Sequence, residues 1–181
     1  MKGFSIIVAT DEERGIGKAN RIPWNISGDM KHFKDITTAT YADGCKNVVI
    51  MGRKTWESLP ASFRPLPGRL NVVVSANLSY ELPVGVMRCG SLQGAIDLYC
   101  GEREGSFGEV FVIGGAAVYA EAIKHICCKK IFRTVINGKF GCDTFFPEIP
   151  DYFRECTRSE IYKDKKLTYY FVELISDRIS K

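Results

Sequence analysis

Short apolar runs alternate with helical patterns along this chain, and that alternation constrains the fold more than any other feature. Phe4 to Ala9, Val48 to Met51, Leu70 to Ser75 and Glu109 to Ile113 are compact and largely apolar. Such runs fit strands buried on both faces, as in a parallel sheet. Helical patterns fall between them. One starts at Ser27, read as its cap, and places Asp29, Phe33 and Ile36 on one face at i, i+4 and i+7. Arg53 to Leu59 forms a second helix, stopped by Pro60. Ser91 caps a third, with Leu92, Ala95, Ile96 and Tyr99 at helical spacing, and Ala116 to Ile123 forms a fourth. Lys130 to Ile136, Phe153 to Ile161 and Leu167 to Ile175 then follow as strands without intervening helices. The expected fold is α/β, with a mostly parallel sheet and an antiparallel C-terminal edge. No repeat or linker-like composition shift divides residues 1–181, so one domain is expected.

Composition narrows the function classes. Hydrophobic residues make up 45% and charged residues 25%, which excludes a disordered or fibrous chain. No window approaches the roughly 18 apolar residues of a membrane span. The net charge of +4 is spread along the sequence, so a nucleic-acid partner is not expected. Seven cysteines occur without a CxxC pair, and the two histidines, His32 and His125, have no cysteine at ligand spacing. No metal site is expected, and the cysteines read as thiols in a reducing compartment. The N-terminus carries no signal-peptide pattern, so the expected location is the cytoplasm. His32, beside Phe33, is expected to face solvent, and His125 to sit at a helix end.

Three places have the means for chemistry, each with a plainer alternative. Gly114-Gly115 follows a strand and precedes a helix, where backbone N–H groups and the dipole attract a phosphate; a tight turn alone explains it equally well. Arg53-Lys54 opens a helix against the dipole preference, which hints at a bound anion or else reflects a solvated surface pair. Asp29 complements the dipole of its helix, yet shares a face with Phe33 and Ile36, where a carboxylate is costly unless partnered or protonated.

Taken in order, several segments resemble the dihydrofolate reductase family. They are Ile16-Gly17, Ile22-Pro23-Trp24-Asn25, Asp29, Val49 through Leu59, Arg64 through Arg69, Val112 through Gly115 with Val118-Tyr119, and Asp143 through Pro147. The resemblance spans about Phe4 to Glu173, and the length of the Pro60 to Arg69 loop is closer to eukaryotic or protozoal members. It implies an eight-stranded, mostly parallel twisted sheet with helices on both faces. It also implies NADPH-dependent reduction of 7,8-dihydrofolate to tetrahydrofolate, and binding of antifolates. By the same resemblance Asp29 pairs with the pterin N3 and 2-amino group, Thr134 supports that carboxylate, Trp24 orders a proton-delivering water, and Ile22 lies in a mobile loop over the nicotinamide. Ile7, Val8, Ala9, Met30, Phe33, Leu66 and Ile113 would line the substrate pocket, with Arg69 taking the α-carboxylate of the glutamate tail. Cofactor contacts would come from Ala9, Ile16, Gly17, Gly52, Arg53, Lys54, Thr55, Ser75, Ile113, Gly114, Gly115, Ala116, Val118 and Tyr119. The Gly114–Gly115 peptide would be cis.

Two positions depart from the family. Ala76 replaces the Ser or Arg often found beside Ser75, and Gly90 stands where a basic residue often precedes the Ser91 helix. Both usual groups help to hold the adenosine 2′-phosphate, so the preference for NADPH over NADH is left to Arg53, Lys54 and Ser75. Alternative readings are a riboflavin-pathway reductase sharing this fold and a non-catalytic nucleotide- or RNA-binding module. The chain is expected to act as a monomer, either on its own or as a unit cut from a fusion with thymidylate synthase.

Overall fold

A computed structural model describes residues 3–40, 44–77, 79–101 and 107–179. Six parallel strands form the middle of the sheet: β1 (Phe4–Thr10), β3 (Val48–Gly52), β4 (Leu70–Val74), β5 (Val86–Cys89), β6 (Val110–Val112) and β7 (Cys128–Ile136). Their spatial order is β7-β1-β6-β3-β4-β5. The antiparallel strand β11 (Leu167–Ser176) joins β7. β9 (Phe153–Arg158) and β10 (Tyr162–Asp164) both pair with the far edge of β11. The nine strands therefore fill eight rows, as the family resemblance implies.

The Phe153 to Ile161 run expected as one strand breaks after Arg158. Ser159 fills the gap: its N–H donates to the Phe171 carbonyl at 2.9 Å, and its hydroxyl accepts from the Phe171 N–H at 2.9 Å. A separate ribbon pairs β2 (Gly15–Gly17) with β8 (Thr144–Phe145).

Side chains alternate across the sheet and divide the core into two layers. Phe4, Ile6, Val8, Val48, Ile50, Val72, Val110 and Val112 pack beneath α3 (Leu92–Cys100) and α4 (Ala116–Ala122). Ile7, Val49, Met51, Val73 and Phe111 face α1 (Ser27–Thr38) and α2 (Arg53–Ser58), which contribute Phe33, Ile36 and Trp56. A third cluster, Trp24, Ile26, Ile136 and Tyr169, closes one end.

Ser91 caps α3 as expected, accepting from the Gly94 N–H at 3.1 Å. Ser27 does not cap α1. It is the first helical residue, Ile26 occupies the cap position, and the Ser27 hydroxyl donates to Asp164 at 2.7 Å.

The connectivity fixes where a ligand fits. The chain leaves β1 through α1 and crosses β6 to reach β3, whereas β6 leads through α4 on the opposite face to β7. These diverging connections open a crevice beyond the carboxyl ends of β1 and β6, the usual ligand position in an open α/β sheet.

Candidate active site

Asp29 sits in the first turn of α1, beside that crevice. Thr134 of β7 lies in register with Ala9 of β1, and its hydroxyl donates a hydrogen bond to the Asp29 carboxylate. Burial raises the Asp29 pKa above the usual carboxylate range, and the Thr134 bond pulls the other way. Asp29 is partly buried, and its carboxyl group thus combines partial desolvation with one hydroxyl donor.

Trp24 is buried edge-on against Phe140, with ring centroids 5.2 Å apart. Its indole N–H has no hydrogen-bond partner among the described residues. A buried donor of this kind is satisfied in most proteins, commonly by an ordered water.

On the far side of Phe33, Arg69 is only 8% exposed. Its Cζ lies 5.7 Å from the centre of the Phe33 ring. Its Nη1 donates to Thr37 at 2.8 Å and its Nε to the Pro67 carbonyl at 3.0 Å. Among the described residues no carboxylate pairs with it. Burial lowers its pKa, and a bound anion would relieve that cost. Two residues that sequence reading missed hold this end in place. Asn71 bonds both polar backbone groups of Leu66 and the carbonyl of Arg69, and Asn47 donates to the carbonyls of Thr37 and Ala39 at the end of α1. Asn47 precedes β3 and Asn71 lies near the start of β4, a weak signal that marks a buried amide only in retrospect.

The phosphate candidates meet at the ends of β3 and β6. Gly114–Gly115 is cis, and the Gly52 N–H donates to the Gly114 carbonyl at 2.7 Å. Gly114 has φ of +120°, which suits glycine, and a Cβ on Gly115 would lie 3.0 Å from the Thr55 hydroxyl. Backbone and hydroxyl therefore form a cradle too narrow for side chains. Arg53 and Lys54 open α2 beside it, with Arg53 half-buried and Lys54 exposed.

Several expected residues take different positions. Val8 points into the α3 and α4 layer, so the substrate side of β1 receives its backbone and not its side chain; Ile7 points to the α1 side. Tyr119 is buried, and its hydroxyl donates to the Ile7 carbonyl at 2.8 Å, so it supports the cradle from behind. Met30 and Ile22 are exposed at 56% and 61%. His32 is half-buried and keeps part of its surface exposed: it stacks on Phe171 with ring centroids 3.7 Å apart, and burial lowers its pKa. His125 is structural, accepting from the Cys127 N–H at 3.0 Å. No His, Cys, Asp or Glu cluster suited to a metal exists among the described residues. Nor is any helix there long and apolar enough to cross a membrane.

Comparison with known proteins agrees with this geometry. The sequence model of the family described as dihydrofolate reductase matches residues 3–178. Dihydrofolate reductase of Drosophila melanogaster is 42% identical over 156 residues, covering 86% of this chain and 85% of that protein. The structure of Schistosoma mansoni dihydrofolate reductase superposes with a TM-score of 0.83 and 39% identity, covering 96% of this chain and 98% of that one. Bifunctional dihydrofolate reductase-thymidylate synthase 2 of Arabidopsis thaliana is 42% identical over 149 residues, which is 81% of this chain but 26% of that protein. The chain thus spans about a quarter to a third of the bifunctional plant relatives it matches. On the family match and these relatives together, this chain belongs to the dihydrofolate reductase family.

Proposed function

We propose that this chain reduces 7,8-dihydrofolate to tetrahydrofolate with NADPH. The observation that carries the reading is the partly buried Asp29 carboxylate, bonded by Thr134 in a crevice of the kind a pterin ring fills. Asp29 accepts from the pterin N3–H and 2-amino group, and Phe33 stacks on the ring. Arg69 holds the glutamate α-carboxylate through the two-pronged contact that a guanidinium makes well. Together these contacts fix the C6=N5 bond for attack.

The cradle of Gly52, Thr55, Gly114 and Gly115, with Arg53, Lys54 and Ser75 beside it, suits a phosphorylated dinucleotide. When bound, NADPH supplies the hydride that reduces C6. The proton for N5 comes from solvent, through a water held by the Trp24 indole N–H. Ile22 closes the mouth of the crevice and keeps bulk water out. The reading extends to antifolates as inhibitors, and to a monomeric, cytoplasmic catalytic unit formed by residues 1–181. This unit is the counterpart of the reductase portion of the bifunctional relatives.

The test mixes protein, NADPH and dihydrofolate and follows absorbance in the nicotinamide band. A steady decline that depends on both compounds is expected. No decline with dihydrofolate would overturn the reading, and a decline with an aminopyrimidine bearing a ribosylamino group would favour the riboflavin-pathway alternative.

A further inference from the structure

Three neighbouring parallel strands, β3, β4 and β5, end side by side. Their carboxyl ends carry Arg53, Ser75 and Arg88 respectively. The Ser75 N–H donates to the Cys89 carbonyl at 2.9 Å, which ties the end of β4 to the residue after Arg88. Arg88 stands opposite Val73 and shares a face of β5 with Val86, which packs in the α2 layer. Its side chain thus leaves the sheet on the face where Arg53 opens α2.

Both arginines touch Tyr80. Arg88 Nη1 donates to the Tyr80 carbonyl at 3.2 Å, and the Arg53 guanidinium lies 5.5 Å from the centre of the Tyr80 ring. Beside Arg88 opens a cleft of about 600 Å³, lined by Ser79, Tyr80, Glu81, Leu82, Val86 and Arg88. The acidic groups nearby are Glu81 and Glu57, and Glu57 pairs with Arg53 at 3.6 Å. Both members of that pair are close to half exposed, so the contact is weak and exchangeable. Arg64, which faces Tyr80 from the following loop, adds a further positive charge. The positions that usually supply cations here are empty of them: Ala76 is exposed, and a Cβ on Gly90 would meet nothing within 4 Å.

We propose that Arg88 is a specificity-determining residue which, with Arg53 and Ser75, holds the phosphate monoester distinguishing NADPH from NADH. The inference rests on the reading that this site takes NADPH. Arg88 supplies from β5 the charge that Ala76 and Gly90 do not. A guanidinium suits this task because its N–H fork matches a phosphate dianion.

The test measures dissociation constants of NADPH and NADH by quenching of tryptophan fluorescence, for the wild type, Arg88→Gln and Arg88→Lys. Arg88→Gln should weaken NADPH about tenfold, as expected for one charge-assisted contact. NADH should change by less than about twofold, and the salt dependence of NADPH binding should flatten. Arg88→Lys keeps the charge but not the fork and should recover only part of the loss. Unchanged NADPH affinity, or equal losses for both dinucleotides, would overturn the role of Arg88. A wild type that binds NADPH no better than NADH would instead overturn the cofactor reading itself, and the role of Arg88 with it.

Discussion

Thr134, on the central strand β7, donates its hydroxyl to the carboxylate of Asp29 across the mouth of β1. The bond stabilises the charged form of a group that burial otherwise drives toward the neutral form. Removing the donor therefore has a defined sign. In Thr134→Val the Asp29 pKa should rise further, and the limb of the pH–rate profile assigned to Asp29 should move to higher pH. Thr134→Ser should restore the wild-type profile. A profile that stays in place, or moves to lower pH, would show that the hydroxyl does not govern this carboxyl group.

Asp29→Asn should separate stability from activity. The folded-state pKa of Asp29 is raised above its unfolded value. The folded protein then binds more protons than the unfolded chain between those two values, so stability falls as pH rises through that window. The cost is fully present above the folded pKa and absent below the unfolded one. Asn carries no charge, so the variant should melt higher than the wild type at neutral pH, and the gap should close in acid. Activity at neutral pH should drop roughly 10²–10⁴-fold, because Asn lacks the negative charge that favours the N5-protonated pterin and hydride transfer to an unprotonated N5 is unassisted. The rate of the variant should climb steadily as pH falls, because solvent then supplies the proton. Melting curves and steady-state rates between about pH 4 and 9 check both halves. Wild-type rates at neutral pH would reduce Asp29 to a helix-start residue.

Arg69 is buried against Phe33 and has only neutral acceptors among its hydrogen-bond partners. Arg69→Lys keeps one positive charge but loses the planar fork. Binding of dihydrofolate should weaken by about 1.5–3 kcal/mol, the range for a charge-assisted contact. A pterin without the glutamate tail should bind both proteins alike, and NADPH affinity should hold. Calorimetric titration with the two pterins decides it: equal losses for both would mean that Arg69 shapes the pocket and does not grip the tail.

The strand and helix order was legible because strands buried on both faces leave compact apolar runs that nothing else in a short chain produces. Edges were harder. β5 has Met87 and Arg88 exposed on the last row of the sheet, so no pattern marks it. The break between β9 and β10 rests on Ser159 replacing backbone with side chain, a choice made by Phe171 twelve residues away. At the site, Asp29 stood out because a carboxylate on an apolar face needs a reason. Its partner Thr134 came only through family resemblance, since strand register is not written in local sequence. Ile7 and Val8 were both expected at the pocket, yet adjacent strand residues face opposite layers, and only the structure says which. Ser27 has the right chemistry for a cap, but the helix begins one residue earlier than that role requires and Asp164 takes the hydroxyl.

Asn71 illustrates a residue whose importance lies wholly in three dimensions, and its replacement gives the last prediction. It is the second residue of β4, and its side chain turns back to the preceding loop. Its Oδ1 accepts from the Leu66 N–H at 2.9 Å, and its Nδ2 donates to the Leu66 carbonyl at 2.9 Å and the Arg69 carbonyl at 3.1 Å. One amide thus fixes both Leu66 and Arg69, at opposite ends of the Leu66-Pro67-Gly68-Arg69 turn. Asn71→Ala removes all three bonds and leaves buried backbone groups of Leu66 unpaired. An unsatisfied buried polar group costs about 1–3 kcal/mol, so a loss on the order of 2–4 kcal/mol in folding stability is expected. The functional effect should be selective. Slackening the turn displaces the Arg69 guanidinium from the substrate tail but leaves Asp29, Thr134 and Trp24 in place. KM for dihydrofolate should therefore rise several-fold while kcat stays within about twofold, the signature of lost uniform binding. Urea midpoints and steady-state kinetics at saturating NADPH test both claims. A fall in kcat as large as the rise in KM would show that the turn supports the reacting centre as well as the tail, contrary to the position of Asn71 in the fold.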